Sequence, residues 1–267
     1  MEYRRKKDAL PAQTAEVLDV VEALFEKTVL GVYLYGSAVL GGLHPDSDVD
    51  ILILTDGEMS DCVRKEFTDQ LLKISGLVGD RTKRPLEVTV FNQKEIAPWR
   101  FPPKYEYMYG EWLRDEIQAG KLPCPRHDPD AAILLWQARM HSVPLKGEKA
   151  HFYIPDICIQ DIGEAIRLSL PGLLSNLKED TRNVLLTLSR MWFTLEEKAV
   201  CPKDAAADWA GSRLPCGLAQ LMKTAGNAYL GIADDCKMGM ESQVTELAEY
   251  LAVKIENCLK EAGFDFV

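Results

Sequence analysis

The chain has 267 residues, and its 47% hydrophobic and 27% charged composition is typical of a globular protein with one large or two ordinary domains. Its formal net charge of −10 argues against non-specific binding to phosphate backbones and is compatible with a cationic ligand. Seven scattered cysteines indicate free thiols in a reducing compartment, and four scattered histidines disfavour a zinc site. No run reaches the roughly 18 apolar residues of a membrane span, so we expect a cytoplasmic protein without a membrane partner.

The first part of the chain alternates the patterns of helices and strands. In chain order, the predicted elements are a helix at 14–27, a strand at 29–36, a loop at 38–47, a strand at 49–54, a helix at 60–75 and a strand at 86–91. This order is typical of a small unit in which helices cover a mixed sheet.

After a proline-rich connection at 98–104 the strand pattern fades and helical spacing dominates. Helices are expected at 129–141, 160–177, 181–199, 214–230 and 241–262. We therefore predict an α+β protein, with a mixed sheet and helices over 1–110 and an all-helical domain over 111–267. Clefts between two domains are common ligand sites.

Three acidic residues mark the starts of the second and third predicted strands. Asp48 and Asp50 share one face, because residues i and i+2 of a strand point the same way, and Glu87 opens the next strand. If the two strands are neighbours, three carboxylates converge, which is unfavourable unless cations neutralise them. Mg²⁺ prefers such oxygen ligands and bridges to substrate phosphates, so the acids predict a magnesium site. An ordinary hairpin loop with solvated aspartates is the alternative.

The pattern G-S, nine residues, then S-D-V-D at 36–50 resembles the signature of nucleotidyltransferases related to DNA polymerase β. Further blocks are similar to the spectinomycin/streptomycin aminoglycoside adenylyltransferases: GEW at 110–112, DPDAAI at 128–133, NVLLTLSRMW at 183–192, PKDAAADWA at 202–210 and AYLG at 228–231. The likeness covers nearly the whole chain, and it implies a nucleotidyltransferase sheet domain followed by a helical antibiotic-binding domain.

The resemblance implies Mg²⁺-dependent transfer of AMP from ATP to an antibiotic hydroxyl, which confers antibiotic resistance. Asp48, Asp50 and Glu87 would bind the metal, and Glu87 would also be the general base beside the antibiotic. The other implied nucleotide contacts are Ser37, Ser47, Asp130, Arg190, Lys203 and Tyr229. The other implied antibiotic contacts are Trp112, Asp180 and Asn183.

Each of these residues also has a structural explanation that the sequence leaves open. Asp180, Asn183 and Arg190 lie on one stripe of a predicted helix, which could simply face solvent. The other open explanations are a helix cap at Asp130, core packing at Trp112 and Tyr229, and an exposed side chain at Lys203.

The acceptor is predicted from a difference within the family. Family enzymes that act on both drugs have a tryptophan and, five residues later, an aspartate, and a gapless alignment on Arg182 and Asn183 puts Pro171 and Asn176 there. The chain thus resembles the spectinomycin-specific subgroup that modifies the 9-hydroxyl. Dual action on the streptomycin 3''-hydroxyl is the alternative, and a catalytically inactive nucleotide-binding or toxin–antitoxin module is disfavoured by the intact acids. We expect a monomer without a nucleic-acid partner, since no basic stripe is present.

Overall fold

The computed structural model describes residues 10–80, 82–233 and 241–264. The helices are α1 Ala12–Phe25, α2 Ser37–Leu40, α3 Asp61–Ile74, α4 Gln93–Ile96, α5 Arg114–Gln118, α6 Asp130–Met140, α7 Ile159–Ser175, α8 Thr181–Glu197, α9 Lys203–Gly211, α10 Cys216–Tyr229 and α11 Glu241–Glu261. The strands are β1 Val29–Leu34, β2 Val49–Thr55, β3 Leu86–Asn92, β4 Lys104–Tyr105, β5 Tyr107–Gly110, β6 Arg126–His127 and β7 Val143–Gly147.

Five strands form one mixed sheet in the order β5-β3-β2-β1-β7. β2 and β3 run parallel, and the other neighbouring pairs are antiparallel. The predicted α+β class is therefore confirmed, and the second and third strands are neighbours, as the convergence of the three acids requires. The short strands β4 and β6 pair separately.

The central strands are buried on both faces, which explains why they read as nearly continuous apolar runs. On one face, Val32, Ile51 and Val88 pack in a core shared with α1 and α3. On the opposite face, Leu52 and Phe91 belong to a second core that includes the helices of the later part of the chain. Helix α8 contacts α7, α9, α10 and α11 in that later part.

Three local features differ from the sequence prediction. The loop at 38–47 begins with the short helix α2, helix α9 was not predicted, and the strand signal does not end near residue 100, because β5 and β7 complete the sheet. β5 and β7 are short and lie at the two edges of the sheet. They are strands because they pair with β3 and β1, which are distant in sequence, and their local pattern does not reveal this. The part after 111 is consequently not all-helical. The division after residue 110 stays a prediction, and β7 crosses it by pairing with β1.

Two composition-based expectations concern the whole chain. The cysteines within the described residues are all free thiols, and Cys236 lies outside those residues. None of the helices in the described ranges combines the length and the apolar character needed to cross a bilayer.

Candidate active site

A row of side chains crosses the sheet at one end of the parallel strand pair. The backbone N–H of Tyr35 donates to the carbonyl of Asp50 at 3.1 Å, Asp50 pairs with Glu87, and Glu87 pairs with Gly110. Side chains at paired positions share a face of the sheet. Asp50 and Glu87 lie two residues before Leu52 and Thr89, so their carboxylates face the helical side of the sheet. The parallel register thus brings these two predicted metal ligands side by side.

Gly36 makes the turn that covers one of these carboxylates. Its φ is +65°, in the left-handed region that favours glycine, and a Cβ at this position would lie 1.8 Å from Oδ2 of Asp50. The chain then enters α2 at Ser37, whose backbone N–H donates to Asp50. The close approach of the backbone to the acid therefore requires glycine at residue 36, and Ser37 contributes its backbone N–H.

A second loop, residues 43–48, carries Ser47 and Asp48 to the same place, and Arg84 holds it. The Arg84 guanidinium donates to the carbonyl of His44 at 2.7 Å and to that of Ser47 at 2.9 Å. Gln13 in turn bonds both backbone groups of Arg84, at 2.8 and 2.9 Å. On the helical side, the ring of Tyr229 contacts the His44 ring edge-on at 4.7 Å. The loop is thus fastened from both parts of the chain.

Burial makes ionisation of the three acids, Asp48, Asp50 and Glu87, unfavourable. Burial, and then the charge of the neighbouring acids, raises the pKa of Glu87 to about 7 and that of Asp50 well above its usual range. Burial also raises the pKa of Asp48 to about 6, against the opposing effect of the Lys203 ammonium. A cation placed among the acids would stabilise their charged forms.

The donor set fits Mg²⁺, since all three side chains offer hard oxygen ligands and their raised pKa values indicate missing positive charge. Within the described ranges, however, no three His, Cys, Asp or Glu side chains are already gathered around one ion position. A metal held here would therefore need further oxygen ligands, such as those that phosphates supply.

The opposite wall comes from helices α8 and α9. Lys203, the first residue of α9, donates to Oδ1 of Asn183 on α8 at 2.5 Å. Arg190, two turns further along α8, donates to Oε1 of Gln137 at 3.3 Å. Burial and the charge of Arg190 lower the pKa of Lys203, while Asp50 and Asp48 oppose that shift. The cavity therefore has acids on the sheet side and two cations on the helical side.

The two walls enclose a cavity of about 780 Å³, within the range of small-molecule sites. Eleven of the twelve predicted site residues line it: Ser37, Ser47, Asp48, Asp50, Glu87, Trp112, Asp130, Asn183, Arg190, Lys203 and Tyr229. Asp180, the exposed residue that precedes α8, is not in the lining, although its carboxylate opposes the lowering of the Lys203 pKa. Their individual roles stay predictions.

Several lining residues were not predicted. Tyr35 lies directly before the Gly-Ser pair, and its buried hydroxyl faces Glu87 and Asp50, whose charges add to burial in raising its pKa. Its position one residue before the motif is the only sequence signal that could have found it. Pro171 and Asn176, on which the prediction of the acceptor rests, are exposed and are not in the lining.

Known proteins resemble this chain along nearly its whole length. Residues 15–106 match the nucleotidyltransferase domain, and residues 154–254 match the C-terminal domain of aminoglycoside adenylyltransferases. A spectinomycin 9-adenylyltransferase of Campylobacter jejuni is 51% identical over 94% of this chain and 97% of its own length. An aminoglycoside (3'') (9) adenylyltransferase of Escherichia coli is 39% identical over 91% of this chain and 94% of its own length.

A solved structure has the same fold. The spectinomycin adenyltransferase AAD(9) from Enterococcus faecialis, crystallised with ATP and spectinomycin, superposes with a TM-score of 0.86 at 29% identity and covers 91% of this chain and 98% of its own. The resemblance inferred from the motifs is thus confirmed. Because relatives between 39% and 51% identical span more than nine tenths of this chain, the chain belongs to the aminoglycoside adenylyltransferase family.

Proposed function

We propose that this protein transfers AMP from ATP to the 9-hydroxyl of spectinomycin, releases pyrophosphate and so confers resistance to the drug. The observation that carries the proposal is the pairing of Asp50 with Glu87 opposite Lys203 and Arg190 in one cavity. Two acids and two cations on facing walls match a reaction whose catalysis depends on positioning and charge neutralisation. Relatives named as spectinomycin 9-adenylyltransferases support this acceptor.

The nucleotide would lie between the two walls. Lys203 and Arg190 would bind its phosphate oxygens, and Ser37 and Ser47 stand on the loops that approach the acids. Asp48, Asp50 and Glu87 would hold Mg²⁺, which when bound neutralises charge that develops on the triphosphate. Because Lys203 already donates to Asn183, the binding of a phosphate would redirect this ammonium.

Glu87 is proposed as the general base. Its carboxylate would accept the proton of the antibiotic hydroxyl as that oxygen attacks the α-phosphate. Burial raises the pKa of Glu87 to about 7 in the metal-free protein, and bound Mg²⁺ would lower it and keep the carboxylate ionised to accept that proton. Spectinomycin is an amine-bearing cation, which the acidic side of the cavity would attract.

The test is pyrophosphate release by the purified protein with Mg-ATP and spectinomycin, with streptomycin assayed in parallel. We expect pyrophosphate release with spectinomycin and none with streptomycin. No pyrophosphate release with either drug would refute the proposal. Release with both drugs would instead support the dual reaction of the 39% identical relatives. Glu87→Gln should retain ATP binding and lose turnover by about 100-fold or more. Glu95→Gln, an exposed residue of α4, is the matched control.

A further inference from the structure

Trp112 is a large aromatic side chain that lines the cavity although 58% of it is exposed. Surrounding packing therefore does not fix its ring. The indole lies close to Gly110, however. A Cβ at residue 110 would lie 2.2 Å from Cη2 of the indole and 2.4 Å from Cζ2 and Cζ3. The outer edge of the ring thus occupies the space that any side chain at residue 110 would need.

The backbone conformation at residue 110 does not require a glycine. Its φ of −148° and ψ of 155° are those of an extended strand, which any residue adopts. An alanine here would strain no dihedral angle, and the three atoms nearest to its Cβ would all belong to the indole. The absence of a side chain at residue 110 therefore leaves space for the indole of Trp112, and we call this space the seat of Trp112.

This seat lies beside the proposed base. Gly110 is the cross-strand partner of Glu87 in the antiparallel pair of β5 and β3. Side chains of directly opposite residues share a face, with Cβ atoms roughly 4.5–5.5 Å apart. The edge of the Trp112 indole consequently fills the position next to the Glu87 side chain, where a neighbouring side chain would otherwise stand.

The turn that leads from Gly110 to Trp112 is rigidly held. Glu111, between them, is almost buried and accepts hydrogen bonds from the Ser75 hydroxyl at 2.6 Å and the Tyr109 hydroxyl at 3.1 Å. It also forms an ion pair with Arg114. The backbone of the turn is therefore fixed, and the freedom left to Trp112 is rotation of its own side chain.

We propose that Gly110 is a positioning residue, which sets the Trp112 indole beside Glu87 as the surface against which the antibiotic rings lie. The inference rests on the proposed function. It predicts that Gly110 acts on the acceptor through Trp112 and leaves nucleotide binding nearly unchanged, because Lys203 and Arg190, the cations proposed to bind the phosphates, stand on the opposite wall.

The test is a double-mutant cycle of Gly110→Ala and Trp112→Ala, read as KM and kcat for pyrophosphate release. Gly110→Ala should raise KM for spectinomycin about tenfold, the value of one well-placed aromatic contact, and change KM for ATP by less than about twofold. In the Trp112→Ala background, the same substitution should have no further effect on KM for spectinomycin. Gly57→Ala, whose Cβ would meet nothing within 4 Å, is the control.

Two results would overturn the inference: a wild-type KM for spectinomycin in Gly110→Ala, or an equal rise in KM in both backgrounds. Fluorescence separates this failure from failure of the proposed function. The Trp112 emission is obtained by subtracting the spectrum of each matching Trp112→Ala protein. Its quenching by acrylamide should increase in Gly110→Ala if the ring leaves its seat. Unchanged quenching would refute the seat, whether or not spectinomycin is the acceptor.

Discussion

The carboxylate of Asp48 should destabilise the folded protein when no cation is bound. Its pKa is raised to about 6, chiefly by burial, from the 3.8 of an ordinary aspartate. Between these values the folded state binds more protons than the unfolded state, so stability falls as pH rises from about 4 through about 6 and then levels off. Asp48→Asn removes the carboxylate and should therefore be more stable than the wild type at pH 7.

The expected gain follows from the shift. A pKa shift of about two units corresponds to roughly 3 kcal/mol, and relaxation around a coupled cluster leaves on the order of 2–3 kcal/mol. Urea unfolding without Mg²⁺ or ATP measures it, at pH 7 and again near pH 4, where the two proteins should differ little. Asp48→Asn should also lose turnover, because the lost carboxylate is a proposed metal ligand.

The matched control is Asp19→Asn, an exposed residue of α1, which should change stability by less than about 0.5 kcal/mol at either pH. Equal stability of the wild type and Asp48→Asn at pH 7 would refute the reasoning. So would a gain that is larger near pH 4 than at pH 7, because the sign of the proton linkage would then be opposite.

Two further substitutions test the scaffold of the site. Arg84→Met removes the donors that hold the carbonyls of His44 and Ser47, and should raise KM for ATP about tenfold with a smaller effect on KM for spectinomycin in steady-state assays. Gly147→Ala places a Cβ 2.3 Å from the carbonyl oxygen of Leu30 at a φ of +83°, and should cost about 1–3 kcal/mol in urea unfolding because β7 must shift from β1.

The sequence predicted the centre of the sheet well and its edges poorly. β2 and β3 carry apolar runs that are buried on both faces, so their local pattern sufficed. β7 is partly exposed and contains Pro144, and only its pairing with β1 makes it a strand. The same distinction holds at the site. The acids were identifiable by motif, whereas the seat of Trp112 depends on the register between β3 and β5, which no local pattern encodes.

The prediction that spectinomycin is the acceptor rests on Pro171 and Asn176 in the alignment, but the structure points to other residues. Pro171 and Asn176 are not in the cavity lining, so the residues that carried the alignment argument are not direct contacts of the cavity in this structure. The residues that α7 does contribute to the lining are Leu168, Ser169, Gly172 and Leu173, none of which is charged. A guanidinium placed against these four residues would lose hydration, and the nearby carboxylate of Asp130 already accepts a hydrogen bond from the Ser169 hydroxyl. We therefore expect a guanidinium-bearing acceptor to bind less well than spectinomycin, which the parallel assay with streptomycin tests.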